Sequence, residues 1–238
     1  MTARLSVHEL RVTYDRGAPA VYDYSVDLYA GSVTVMLGRN GAGKTSTLKG
    51  IIGFLPHESG ESTGRVSLDG SVQRRRDPLR FSRLGVGLVD ERDKVFTNLT
   101  VDTQLRMIAD TPGDLSEVLD FFPRLAERWR VRAGLLSGGE RQMLATALVL
   151  LRRPQVLLVD ELSLGLAPGV AHELMAYLRK LADSRGTAIL AADQAVTAAL
   201  GIADAVQVMD SGHLVSVGSP SDIELAGLLD TYLGRHER

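Results

Sequence analysis

Apolar and polar residues alternate over Leu5–Val12 and Val21–Leu28, the period-two pattern of half-buried strands. Asp15-Arg16-Gly17-Ala18-Pro19 between them is turn material. Ser32–Leu37 is a short run rich in β-branched residues that ends in a glycine-rich loop, and Gly43–Ile52 predicts a helix. Arg65–Leu68 and Leu84–Val89 predict further strands. From residue 92 to about 150 strand patterns vanish, and helical patterns begin near Thr100, Leu115 and Ser137. Alternation of strand and helix then returns. Val156–Asp160 is the continuous apolar run expected of a strand buried on both faces. Gly169–Ser184 predicts a helix, Ala188–Ala192 and Ala205–Met209 strands, and His213–Gly218 a strand behind the Ser211-Gly212 turn. Ser219-Pro220-Ser221-Asp222 has a capping serine, a proline at the first helical position and an acid three residues on, which opens a last helix. Such alternation predicts an α/β fold with a mostly parallel sheet: core over 1–91 and 152–238, helical insert at about 92–151.

Composition narrows the class without naming a chemistry. The 238 residues are 45% hydrophobic and 24% charged, an ordinary globular balance. A formal net charge of −2 gives no basic field for nucleic acid. The absence of cysteine excludes disulfides and thiolate-bound metal and fits a reducing cytosol. The longest uncharged apolar stretch, Met143–Leu151, is nine residues, far short of the ~20 that a membrane span needs. Met1-Thr-Ala-Arg leads into a strand pattern rather than a signal peptide. The expectation is a soluble chain whose membrane role, if any, comes through a partner. Only Lys44, Lys49, Lys94 and Lys180 are lysines, and Arg74-Arg75-Arg76 reads as a solvated turn.

Three motifs carry the chemistry. Gly38-Arg39-Asn40-Gly41-Ala42-Gly43-Lys44-Thr45 follows a strand and opens a helix, the context a phosphate-binding loop requires. Its glycines let backbone N–H groups turn inward, and the helix N-terminus adds partial positive charge. Lys44 would reach the β- and γ-phosphates, and Thr45 would offer its hydroxyl to Mg²⁺. The expected nucleotide-binding residues are therefore Gly38, Asn40, Gly41, Ala42, Gly43, Lys44, Thr45 and Ser46. The second motif is Val156-Leu157-Leu158-Val159-Asp160-Glu161. A carboxylate ending a buried strand is costly unless it has a task. Asp160 suits a magnesium shell, and Glu161 suits the orientation or deprotonation of a water. Two acids at a strand exit are common, so the loop ahead of them gives them their weight. The third motif is Leu136-Ser137-Gly138-Gly139-Glu140-Arg141-Gln142. Ser137 and Glu140 make a generic capping box, but two glycines in a first helical turn imply a close approach to the backbone.

The order of these motifs resembles the ATPase cassettes of ABC transporters, whose family signature is the Leu-Ser-Gly-Gly segment, and the likeness spans essentially the whole chain. The resemblance implies a phosphate-loop NTPase (RecA-like) core, an antiparallel β subdomain and a helical insert subdomain. It implies ATP and Mg²⁺ as ligands and a head-to-tail dimer with a second ATPase subunit. Each ATP would lie between one phosphate loop and the Ser137, Gly138 and Gly139 of the other cassette. It further implies transmembrane permease subunits as partners, no nucleic acid, and a cytoplasmic chain peripheral on the inner face of the cell membrane. Tyr14 matches the aromatic residue that stacks on adenine, with a plain turn tyrosine as the alternative. Val95, Phe96 and Leu99 sit where the family meets its membrane subunit, and packing inside the insert is the equal alternative.

Three departures from the family pattern narrow the subfamily. Glu91 stands where many cassettes have glutamine, Leu162-Ser163-Leu164-Gly165-Leu166-Ala167-Pro168 follows Glu161, and Gln194 replaces the switch histidine. Together with Phe121-Phe122-Pro123-Arg124-Leu125 they resemble the second ATPase of branched-chain amino-acid uptake systems, although Leu162 departs even from that group and the helical insert is short. Urea and short-amide importers share these features. The partner cassette would then be a different chain, with homodimerisation as the alternative. Glu91 would join Thr45 and Asp160 on the metal. Gln194 cannot become cationic or shuttle a proton, so the catalytic set is Glu161 as base, Gln194 in a positioning role and Lys44 on phosphate. A nucleotide-gated dimerisation clamp with little hydrolysis is the rival reading. A nucleic-acid-directed cassette and a phosphate-loop kinase are more distant ones.

Overall fold

Alternation along three buried strands divides the molecule into layers. In the computed structural model, which describes residues 2–14, 17, 19–55, 60–90, 95–161, 168–194 and 199–221, β3 (Val33–Leu37) sends Val33, Val35 and Leu37 into one apolar cluster and Met36 into another. The same division holds for β7 (Val156–Asp160), where Leu157 and Val159 face one cluster and Val156 and Leu158 the other. It holds again for β8 (Ala188–Asp193), with Ile189 and Ala191 opposite Ala188, Leu190 and Ala192. A strand apolar on both faces must be covered on both. One cover is helix α1 (Lys44–Ile52) with the antiparallel strands β1 (Leu5–Tyr14), β2 (Pro19–Leu28), β4 (Gly60–Leu68) and β5 (Ser71–Val72), in the order β2-β1-β4-β5. The other is built by α3 (Val101–Ile108), α4 (Pro112–Phe121), α5 (Pro123–Glu127), α6 (Gly138–Leu150) and α7 (Pro168–Arg185). A short α2 (Pro78–Arg83) precedes β6 (Val86–Val89).

The central sheet has six strands in the order β10-β9-β3-β8-β7-β6, where β9 is Ala205–Asp210 and β10 is His213–Gly218. All neighbours are parallel except the β9–β10 hairpin. Among the described residues no strand lies between Val89 and Val156, and helices fill that interval. The hydroxyl of the fully buried Tyr24 donates to Gln207 at 2.5 Å, which joins β2 to β9 across the layers.

Some local readings shift. The strand read from Leu84 begins at Val86, because Leu84 caps α2 and Gly85 takes φ +82°. The helix read from near Leu115 starts at Pro112, where Thr111 and Asp114 form a capping box. Arg74 and Arg75 are exposed as expected of a solvated turn, but Arg76 is half-buried. Its guanidinium donates to the carbonyls of Gly50, Ser62 and Thr63, and so ties α1 to β4. Val95 packs against the helical cluster while Phe96 is 68% exposed, so the two alternatives for that segment divide between neighbours. The buried Gln104 braces it: its side chain accepts from the N–H of Phe96 and donates to the carbonyls of Phe96 and Leu99. The final helix read from Ser219-Pro220-Ser221-Asp222 lies largely outside the described residues.

Candidate active site

Parallel neighbours present their carboxyl ends at one edge, and three of those ends meet here. Leu37 of β3 stands opposite Asp193 of β8, and Asp160 of β7 stands opposite Ala192. The loop after β3 runs against the β9–β10 turn. A Cβ on Gly38 would lie 2.5 Å from the carbonyl oxygen of Met209, and one on Gly43 (φ +100°) 2.6 Å from that of Ala20. Only glycine fits such approaches. Gly212 N–H donates to the Ala42 carbonyl at 3.0 Å, and the Gly212 carbonyl accepts from Tyr22 N–H at 2.8 Å, which clamps the loop from behind. Gly43 caps α1 with no side-chain hydrogen bond. The first-turn N–H groups have no intrahelical acceptor and face an anion's position with the positive end of the helix dipole.

Lys44, at the first position of α1, is 4% exposed. Its ammonium donates to the carbonyls of Gly38 (2.9 Å) and Arg39 (3.2 Å) and pairs with Glu161 Oε1 at 3.3 Å. An ammonium has three protons, and these three acceptors satisfy it. Glu161 takes the left-handed conformation, φ +45°, with its N–H on the Ala192 carbonyl. A non-glycine residue holds that conformation only where its surroundings enforce it. Gln194 Nε2 donates to Glu161 Oε1 at 2.7 Å and to Asn40 Oδ1 at 2.6 Å.

Asp160 is 1% exposed. Its Oδ1 accepts from the Thr45 hydroxyl at 3.0 Å, and its Oδ2 is buried without a hydrogen-bond partner among the described residues. Burial pushes its pKa up to about 6; the Thr45 hydrogen bond opposes that shift, and the nearby Asp90 and Glu161 add to it. An orphaned carboxylate oxygen beside a threonine hydroxyl is a hard, oxygen-only donor set of the kind Mg²⁺ takes. Close by, Lys49 pairs with Asp90 at 3.1 Å. The motifs did not reveal Lys49; the available signal was that two of only four lysines fall on α1.

Tyr14 is half-buried at the end of β1, with its hydroxyl donating to Ser46 Oγ at 3.3 Å. Ser137 lies apart from this cluster. It caps α6 by accepting from Glu140 N–H at 3.2 Å, while its own N–H donates to Glu140 Oε2 at 2.8 Å. Arg128 adds an ion pair to Glu140 at 2.9 Å. These bonds hold the Glu140 carboxyl below the usual carboxylate range, the Ser137 N–H foremost. Ser137 and Gly138 are exposed, and a Cβ on Gly138 would meet nothing within 4 Å. The close approach that the two glycines imply is therefore absent at Gly138 among the described residues. Gly139 is half-buried. Glu91 and the Leu162–Ala167 segment lie outside the described residues.

Comparison with known proteins identifies the family. The ABC transporter family model matches residues 21–163. A probable branched-chain amino acid transport ATP-binding protein, LivF, from Archaeoglobus fulgidus is 36% identical over 210 residues, 85% of this chain and 87% of the relative. The high-affinity branched-chain amino acid transport ATP-binding protein BraG of Pseudomonas aeruginosa is 33% identical over 85% of this chain and 88% of its own length. Among solved structures, the ADP conformation of an ATP-binding cassette of an ABC transporter superposes with a TM-score of 0.82 at 21% identity, covering 98% of this chain and 100% of that one, a likeness of fold. No helix among the described residues is long and apolar enough to cross a membrane. With a family match over more than half its length and relatives of this similarity, the chain belongs to the ABC transporter family, as an ATP-binding ATPase subunit.

Proposed function

We propose that this subunit hydrolyses Mg²⁺-bound ATP to power an importer of branched-chain or similar hydrophobic amino acids. One observation carries the site reading: Lys44, Thr45, Asp160, Glu161 and Gln194 come from three separate segments and interlock at one sheet edge. The solute class rests on the Leu-Ser-Leu-Gly-Leu-Ala-Pro and Gln194 departures together with the relatives' names.

In this reading Lys44 exchanges Glu161 for the β- and γ-phosphates, with the loop amides and the α1 N-terminus holding their oxygens. Thr45 and Asp160, joined by Glu91, would hold Mg²⁺, which neutralises charge building on the phosphates. Glu161 accepts the proton of the attacking water, and Gln194 positions but does not titrate. Tyr14 offers its ring face to adenine. The exposed Ser137 and Gly138, with the half-buried Gly139, serve the nucleotide of a second cassette in a head-to-tail dimer. A groove of about 660 Å³ between α1, β6 and α6, lined by Ile52, Phe54, Leu148 and Val149 with Lys49 and Asp90 at its polar side, suits a permease segment on the membrane's inner face.

Phosphate release by the purified chain tests the roles. Glu161→Gln should lower turnover at least about 10²-fold while ATP still binds, and Gln194→Ala should leave a measurable remnant. Equal, total loss in both would reject this division of labour. Uptake of labelled leucine by cells whose own copy is replaced with Glu161→Gln tests the solute class, and unchanged uptake would reject it.

A further inference from the structure

The bridging carboxamide of Gln194 carries more than its own position. Glu161, paired with Lys44, is a carboxylate and can only accept hydrogen bonds. The Gln194 atom 2.7 Å from it must therefore be the amide nitrogen. The same nitrogen lies 2.6 Å from the Asn40 side chain, so the Asn40 atom there must be its oxygen. Chemistry alone thus fixes both amide orientations. Each of the two Gln194 amide protons has one acceptor, and the carbonyl oxygen is the only group of that side chain left to receive a hydrogen bond. A histidine in this place has at most one N–H at each ring nitrogen and could not serve both acceptors from one atom.

We infer that Asn40 is a positioning residue: through its side-chain oxygen it holds the Gln194 carboxamide with nitrogen toward Glu161 and carbonyl oxygen toward the reacting water. Without Asn40, one amide proton loses its acceptor and the side chain can rotate about its last bond. The oxygen of Gln194 would then face the Glu161 carboxylate in part of the population, acceptor against acceptor. This assignment rests on Glu161 acting as the base.

The test is a double-mutant cycle on the purified full chain, using Asn40→Leu, Gln194→Ala and the pair, with Glu161→Gln as control. Asn40 is exposed, so the leucine variant leaves the packed core untouched. In the nucleotide-free chain, Asn40→Leu should speed exchange of the Gln194 side-chain amide protons. It should lower kcat about fivefold, the worth of one hydrogen bond, and leave the ATP Kd within about twofold, because the part Asn40 plays in binding nucleotide is that of its backbone N–H, which leucine keeps. In the Gln194→Ala background the same change should alter kcat less than about twofold. Additive losses, unchanged amide exchange, or a weakened Kd with unaltered kcat would each overturn the inference. Turnover surviving in Glu161→Gln would instead reject the base assignment beneath it.

Discussion

The two halves of the proposed nucleotide site are built in opposite ways. At the sheet edge, every charged group named in the site is buried or paired: Lys44 has three acceptors and Glu161 two donors. At the start of α6, Ser137 and Gly138 face solvent, and among the described residues the hydrogen bonds of Ser137 run to Glu140 and Arg141 of its own helix. The first region is internally complete and must be opened by its ligand. The second is a finished helix start that nothing in the described chain uses, since the helix forms without needing a second glycine there. In the proposed reading, burial marks what the chain does by itself, and an exposed, preorganised cap marks what it offers to another molecule.

The sharpest way to break this comparison is to place bulk on the exposed half alone. Ser137→Arg removes the cap hydroxyl and adds a long cation where a second cassette would close. In a Glu161→Gln background, which accumulates bound ATP, it should abolish the ATP-dependent increase in size seen by light scattering. ATP affinity of the single chain should stay within about twofold, because Ser137 makes no bond to the phosphate loop. A dimer that persists would mean the signature helix does not face the nucleotide of a second copy. A loss of affinity in the monomer would mean the two regions are not separate.

How far the sequence revealed each region follows from the range of the interactions. The phosphate loop, the Asp160-Glu161 strand end and the Ser137 cap are short-range patterns, readable because each is closed within a few residues. The loop's back wall was not readable. Met209, Ala20 and Gly212 approach it from segments distant in the chain, and no local pattern links them. The same holds for Gln194 and Asn40, 154 residues apart, whose contact exists only because β3 and β8 are neighbours. Lys49–Asp90 is hidden for the same reason. Helix α2, by contrast, carried a local signal in Asp77-Pro78, an N-cap followed by proline at the first helical position, with Asp77 accepting from Arg80 N–H at 3.0 Å. The Leu84–Val89 strand reading ran over its end.

A middle-sized effect should separate the regions by pH. Burial raises Asp160 to about 6 from an ordinary 3.8, so the folded chain holds that proton more tightly than the unfolded chain does. This stabilisation is complete below the unfolded value and is lost as pH rises through about 6. Asp160→Asn keeps an oxygen for the Thr45 hydroxyl and has no charge to desolvate. In the nucleotide-free chain without Mg²⁺ it should therefore be more stable than wild type at pH 7, by about 1–3 kcal/mol, and converge with it near pH 4. Urea denaturation at several pH values measures this. Asp160→Asn should also be inactive, a site that gains stability by losing its proposed metal ligand. An Asn variant less stable than wild type at pH 7 would mean that the charge is compensated by the fold itself rather than held for a cation.

The exposed half should respond in the opposite sense and more weakly. Glu140 is held ionised by the Ser137 N–H and Arg128, so its contribution is present above the usual carboxylate range and fades only as pH falls through its lowered value. Glu140→Ala removes one arm of the capping box but leaves Ser137 Oγ with its Glu140 N–H partner, since that donor is backbone. The expected cost is about 0.5–1 kcal/mol in urea denaturation at pH 7, shrinking in acid, where the wild-type carboxylate is lost as well. The freed Ser137 N–H becomes one more donor at the α6 N-terminus. ATP-dependent dimerisation should therefore survive in Glu140→Ala where Ser137→Arg abolishes it. If both variants lose the dimer to the same extent, the capping box is part of the docking surface and not merely its support.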